Sequence, residues 1–274
     1  MSQMPERLRH LAVAAVLLFG LASAGYAGGT VPELVTDRPD QTESSETVRP
    51  GYVQFEFGWT HAEDDEAIDV TSDSLPETLV RVGLADHVEL RFGFGGYVWE
   101  EVDGPGATSV TSDGAADLDI GLKWKLWEEA GWTPKTAVIA GTTLPTGAGA
   151  MSSERFDPSL RLACEHTLTE VLGLGYNVAA NWASEEDAVG DRDTKASVAY
   201  TVVLGVALTN ELGTFVEFFG EALTGQGKPA NSIDGGFTYA LADNLQIDVL
   251  GGVGVSEAAD DWFFGAGLVW RLPQ

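Results

Sequence analysis

The chain has 274 residues, with 15 lysines and arginines against 42 aspartates and glutamates, for a formal charge of −27. That balance excludes nucleic acid and anionic membrane surfaces as electrostatic partners. The single cysteine excludes an intramolecular disulfide framework, and the apolar-phase position of Cys164 reads as a packed small hydrophobe.

Arg7, Arg9 and His10 precede an apolar run from Leu11 to Ala24, with small-residue cleavage sites at Ala22-Ser23-Ala24 and Gly25-Tyr26-Ala27. This is the layout of a secretory signal peptide, taken as residues 1–27. No later stretch reaches the roughly 18 apolar residues of a spanning helix. Residues 28–50 are polar, carry Pro32, Pro39 and Pro50, and read as an arm without a long element.

From residue 51 the pattern changes to period two, the signature of strands. Val53, Phe55, Phe57 and Trp59 alternate with Gln54, Glu56 and Gly58 in a first strand over 52–60, followed by an acidic loop over 61–76. A second strand (77–84) and a third (88–99) flank the tight turn at Ala85-Asp86-His87, and a loop is expected over 100–115. The fourth strand is the cleanest, with Leu118, Ile120, Leu122, Trp124 and Leu126 opposite Asp119, Lys123 and Lys125. Further strands are read over 135–144, 158–165, 170–181, 195–208, 213–223, 232–241, 245–255 and 262–272, with an acidic loop over 183–194.

The count is twelve, an even number, and short turns alternate with longer, acid-rich loops. That combination predicts an all-β fold, a closed antiparallel transmembrane β-barrel over 51–274 with short periplasmic turns and external loops. Closure is required because an open sheet edge in hydrocarbon leaves backbone groups unpaired. Trp59, Trp99, Trp124, Trp262 and Trp270 fall near strand ends, as interfacial girdles do. Residues 28–50 then lie on the periplasmic side, in the outer membrane of a Gram-negative cell. The expected partners are outer-membrane lipids, lipopolysaccharide and the barrel assembly machinery.

The stretch before the first strand carries a resemblance. Thr36, Asp37, Arg38, Pro39, Asp40, Thr42, Glu43 and Ser44, then Pro50-Gly51, and later Gly141 with Leu144-Pro145-Thr146-Gly147, are similar to outer-membrane proteins grouped under the meta-pathway of phenol degradation. The resemblance covers about residues 30 to 272. It implies passage of small hydrophobic or aromatic solutes. The chain departs from the pattern at its end, where Trp270 is followed by Arg271-Leu272-Pro273-Gln274 rather than a terminal aromatic.

Glu56, Arg81, Arg91, Lys123, Lys125, Arg161, Glu217 and Glu221 share the inward phase, with Glu89, Asp119 and Glu165. They form either a positive strip facing a negative one across a pore or an ion-paired network that fills a narrow barrel. Phe215, Phe219 and Tyr97 share the same phase and would line an apolar path. Arg38 is expected to pair with a carboxylate near the periplasmic rim. The acidic loops read as a solvated face or as weak divalent-cation sites. His10, His61, His87 and His166 show neither metal-ligand spacing nor a serine partner, so no enzyme, cofactor or metal is expected. Two functions stay open: a channel for small solutes, or a closed structural or surface-interaction barrel.

Overall fold

The computed structural model describes residues 32–65, 69–104, 109–186, 192–224 and 227–273. The expected signal peptide lies outside them. The strands are β1 (Val53–Asp64), β2 (Asp69–Ala85), β3 (Val88–Phe94), β4 (Tyr97–Asp103), β5 (Val110–Ala115), β6 (Leu118–Trp127) and β7 (Lys135–Leu144), then β8 (Asp157–Thr167), β9 (Leu172–Glu186), β10 (Arg192–Ala207), β11 (Leu212–Leu223), β12 (Ala230–Ala242), β13 (Leu245–Gly254) and β14 (Trp262–Leu272).

Twelve of these form a ring. β1 pairs with β2, β2 with β3 and β3 with β6, each later strand pairs with its successor, and β14 returns to β1. The barrel is therefore closed, antiparallel and twelve-stranded, as the alternation predicts. β4 and β5 do not widen it. β4 pairs with the far half of β2, and β5 with β4. β3 with β4 and β5 with β6 are thus two long strands, broken at Gly95-Gly96 and Ala116-Asp117. Both ends of the barrel chain, Val53 and Leu272, lie together at one end, the terminal end.

The loops expected over 61–76, 100–115 and 183–194 are instead largely strand. β2 begins at Asp69, β4 runs to Asp103, β9 reaches Glu186 and β10 starts at Arg192. Beyond the apolar belt both sheet faces meet water. A hairpin of Thr, Ser, Asp and Glu keeps its backbone ladder there with no apolar alternation to betray it.

The outward face is apolar. Leu122, Leu160, Val178, Val202, Val216, Phe237 and Val249 are all exposed on it. Aromatics cluster at its margins. Trp59 and Phe264 meet edge to face at 5.0 Å at the far end, and Phe55 and Trp270 lie 6.2 Å apart nearer the terminal end. The inward face is polar and buried: Gln54, Glu56, Arg81, Glu89, Lys123 and Glu217 are each no more than 1% exposed.

Tyr97 is not on that inner face. Gly96, at φ 92°, resets the strand phase, a conformation that glycine adopts without penalty. Tyr97 shares a face with Trp99, their rings 4.8 Å apart, opposite the exposed Leu75. Asp73, opposite Trp99 on that face, bonds Trp59 Nε1 at 2.9 Å in the outer aromatic margin. Tyr97 therefore belongs to the outward surface.

Candidate functional site: an arm inside the ring

Residues 32–50 enter the barrel at the terminal end, turn within the lumen and return to β1. The entry is tied by Arg271, which donates to Pro32 O and Glu33 O, each at 2.7 Å. The exit is tied by Val48 N, which donates to Glu89 at 2.8 Å. Prolines keep the segment from coiling into a helix, so its amides point at the wall rather than at one another.

The arm presents Asp37, Arg38, Glu43 and Glu46 to wall groups of opposite sign. Asp37 faces the basic side formed by β2, β3 and β6. Its Oδ2 lies 2.5 Å from Arg91 Nη1, 2.7 Å from Lys123 Nζ and 3.2 Å from Arg81 Nη1. Its Oδ1 accepts from Ser44 N and Oγ, and its own amide donates to Glu56. Burial alone would raise the Asp37 carboxyl, but the three cations overcome it and hold the group well below the usual carboxylate range. Arg81 also bonds Glu89 at 2.9 Å and Glu56 at 3.1 Å.

Glu43 pairs with Arg91 at 2.6 Å, and its backbone is clasped by the Asn177 amide. Glu46 bridges Lys125 and Lys135 at 3.0 and 2.6 Å. Although burial works the other way, the bonds from Lys135 and Lys125 lower the Glu46 carboxyl. Ser45 donates twice to Glu165. Arg161 donates to Gln41 O at 3.1 Å, and Gln41 N donates to Glu217 at 2.7 Å. Thr42 bonds both Glu217 and Thr201. Thr36 folds back onto Arg38 O, and Pro39 is buried at the turn.

Arg38 points the other way, to the acidic wall. It pairs with Glu77 at 3.2 Å and Asp248 at 3.4 Å, both mid-strand rather than at the rim. Its guanidinium lies over Gly58 and Gly267, which face each other across the β1–β14 junction. A β-carbon on either glycine would collide with it. Of the expected inward charges, Glu221 and Asp119 make no hydrogen bond or ion pair with the arm among the described residues; Glu221 receives Asn181 and Ser197, and Asp119 receives Thr143.

The structure therefore gathers Glu56, Arg81, Arg91, Lys123, Lys125, Arg161 and Glu217 around the arm motif. Beyond the residues singled out from the sequence, it adds Glu46, Lys135, Asn177, Asp234 and Asp248. The last three share the inward phase of their strands, a readable signal. Glu46 and Lys135 stand at segment ends, where alternation carries no information. Beyond the turn of the arm, Arg91, Arg161, Leu79 and Ile139 line a recess of about 380 Å³.

Solved structures with similar folds include a porin and the barrel domains of autotransporters. The β domain of the Bordetella autotransporter BrkA aligns with TM-score 0.53 at 13% identity, over 80% of this chain and 98% of that one. The translocator domain of the autotransporter NalP from Neisseria meningitidis aligns with TM-score 0.52 at 9% identity, over 96% of each. The porin NanC aligns with TM-score 0.50 at 9% identity, over 80% and 100%. No curated protein matches the chain by sequence. The family model described as "Putative MetA-pathway of phenol degradation" matches residues 36–272, from the start of the arm motif to the last strand, and the chain belongs to that family.

Proposed function

We propose that the chain forms a plug-gated channel in the outer membrane for small solutes, apolar and aromatic ones among them. The terminal end then faces the periplasm and the apolar outward face meets lipid. One observation carries the gate: the arm fills the lumen through ion pairs and hydrogen bonds rather than apolar packing. Each such contact, most of them to a charged group, exchanges for water on release at a net cost of about 1.5–3 kcal/mol, whereas the barrel ladder is independent of the arm. A plug held this way can leave while its barrel stays closed on itself. The porin-like fold and the family description support the same reading.

Planar-bilayer recording tests it. Full-length protein is expected to give rare openings, and a variant lacking residues 32–46 to conduct persistently. Silence from both, with the variant folded by heat-modifiable mobility, would favour the closed structural barrel instead.

A further inference from the structure

The acidic wall is imperfectly matched by the arm. Arg38 answers Glu77 and Asp248, but the next arm charge on that side is Asp40, a carboxylate. The amide of the next residue, Gln41, donates to Glu217 at 2.7 Å, and burial, then the charges of Glu217 and Asp234, push the Asp40 carboxyl well above the usual range. Asp234 is 3% exposed, and among the described residues neither of its carboxylate oxygens receives a hydrogen bond. Its direct neighbour across the ladder is Glu217, itself a carboxylate. Two buried carboxyls side by side cannot both stay ionised unless a positive charge joins them; otherwise one holds a proton.

The sheet places an apolar surface beside this pair. Glu217, Asp234, Gly252 and Phe263 form one cross-strand row over β11, β12, β13 and β14, with strands about 4.8 Å apart. Gly252 leaves its place in the row empty of side chain. The Phe263 ring leans across it toward the Asp234 β-carbon, and a β-carbon at 252 would strike both. Phe219 meets Phe263 at 6.0 Å in an edge arrangement. Two buried carboxylates therefore adjoin two inward aromatic rings.

This combination suits a cation that carries carbon. Carboxylates hold an ammonium by charge-assisted hydrogen bonds, and aromatic faces attract it and accept its apolar portion. Among the described residues, no three carboxylate, imidazole or thiolate side chains converge closely enough to cage a metal ion, so spaced carboxylates with rings favour the larger cation. The far-end surface has the same sign. Asp64, Asp69, Glu101, Asp103, Asp260 and Asp261 crowd that end, a field that concentrates cations and repels anions at the mouth.

We propose that Glu217 and Asp234, with Phe219 and Phe263, form a binding site for a small organic ammonium ion, and that the conducting barrel prefers cations. The site stands without the channel reading; the preference rests on it.

The test uses the full-length barrel and three probes of matched size: benzylammonium, benzyl alcohol and benzoate, each measured by saturation-transfer NMR in detergent. Benzylammonium is expected to bind saturably, at least about tenfold more tightly than the other two, a difference readily resolved as an affinity ratio. Asp234→Asn is expected to lose that preference while keeping heat-modifiable mobility, and Phe263→Leu to weaken benzylammonium binding with less effect on competition by ammonium chloride. Equal binding of the three probes would overturn the site. So would a preference that survives both Asp234→Asn and Glu217→Gln. Reversal potentials in a potassium chloride gradient then separate the two claims. Openings that favour chloride overturn the cation preference alone, and absence of openings in both the full-length and arm-deleted proteins overturns the channel reading while the binding result stands.

Discussion

Three cations converge on the single carboxylate of Asp37, and the consequence of losing it depends on whether water can enter. In a sealed core, removing one partner of a buried ion pair costs about 3–5 kcal/mol. Here the arm can leave and let water reach Arg81, Arg91 and Lys123, so the loss falls on the seating of the arm and not on the barrel. Asp37→Ala is therefore expected to raise protease cleavage within residues 32–46 by about 100-fold or more, since each 1.4 kcal/mol is tenfold, with heat-modifiable mobility unchanged. The pH dependence has two opposed parts. Asp37 is held below its ordinary value of about 4, so its contribution to seating is complete above that value and lost only as pH falls through the lowered one. Asp40 is raised, so its contribution is complete at acid pH and lost as pH rises through the raised value. Protection of the arm is expected to peak between the two, and Asp40→Asn to abolish the loss on the alkaline side. Arg81, Arg91 and Lys123 were legible as inward charges because strand phase sorts them. That the arm supplies much of their counter-charge was not legible, since nothing in local pattern links Asp37 to residues 44 to 86 positions away.

At the scale of elements, the arm and the strands obey different rules. The strands are held by their ladders, and their positions follow from alternation wherever one face is apolar. The arm is held by fit. Its return leg passes so close to β2 that a β-carbon at Gly83 would strike the carbonyls of Val48 and Arg49, and backbone cannot yield as a flexible side chain can. Gly83→Val is expected to unseat the return leg, break the bond from Val48 N to Glu89 and expose the arm to protease, with the barrel still folded. The contrasting case is Gly205, where a β-carbon meets nothing; alanine there is expected to leave the arm protected. Strand boundaries were legible at the terminal end, where turns are short and the apolar belt begins at once. They were not at the far end, where wet hairpins prolong β2, β4, β5, β9 and β10, nor at Gly95-Gly96, where one break in phase moved Tyr97 to the other face.

For the whole molecule, the division into an apolar outside and a charged inside makes the two faces of one strand unequal to substitution. Leu122 is exposed at the middle of β6, between the inward Gly121 and Lys123. Leu122→Arg is expected to destabilise the bilayer-inserted barrel by about 2–4 kcal/mol, the cost of a basic residue at midplane, measured by denaturant unfolding in vesicles. A lysine already stands next to it on the inner face and is fully paired. The closed ring also has one junction unlike the rest, where the first strand of the barrel meets the last. Arg38 rests on that junction, over Gly58 of β1 and Gly267 of β14, and reaches Asp248 on β13. Half of its seat therefore does not exist until the final strands are in place. The arm ahead of the first strand thus carries a residue whose seat only the last strands complete, so the fully seated arm is a record of finished assembly: a barrel left open at its last seam offers Arg38 Glu77 but not Asp248.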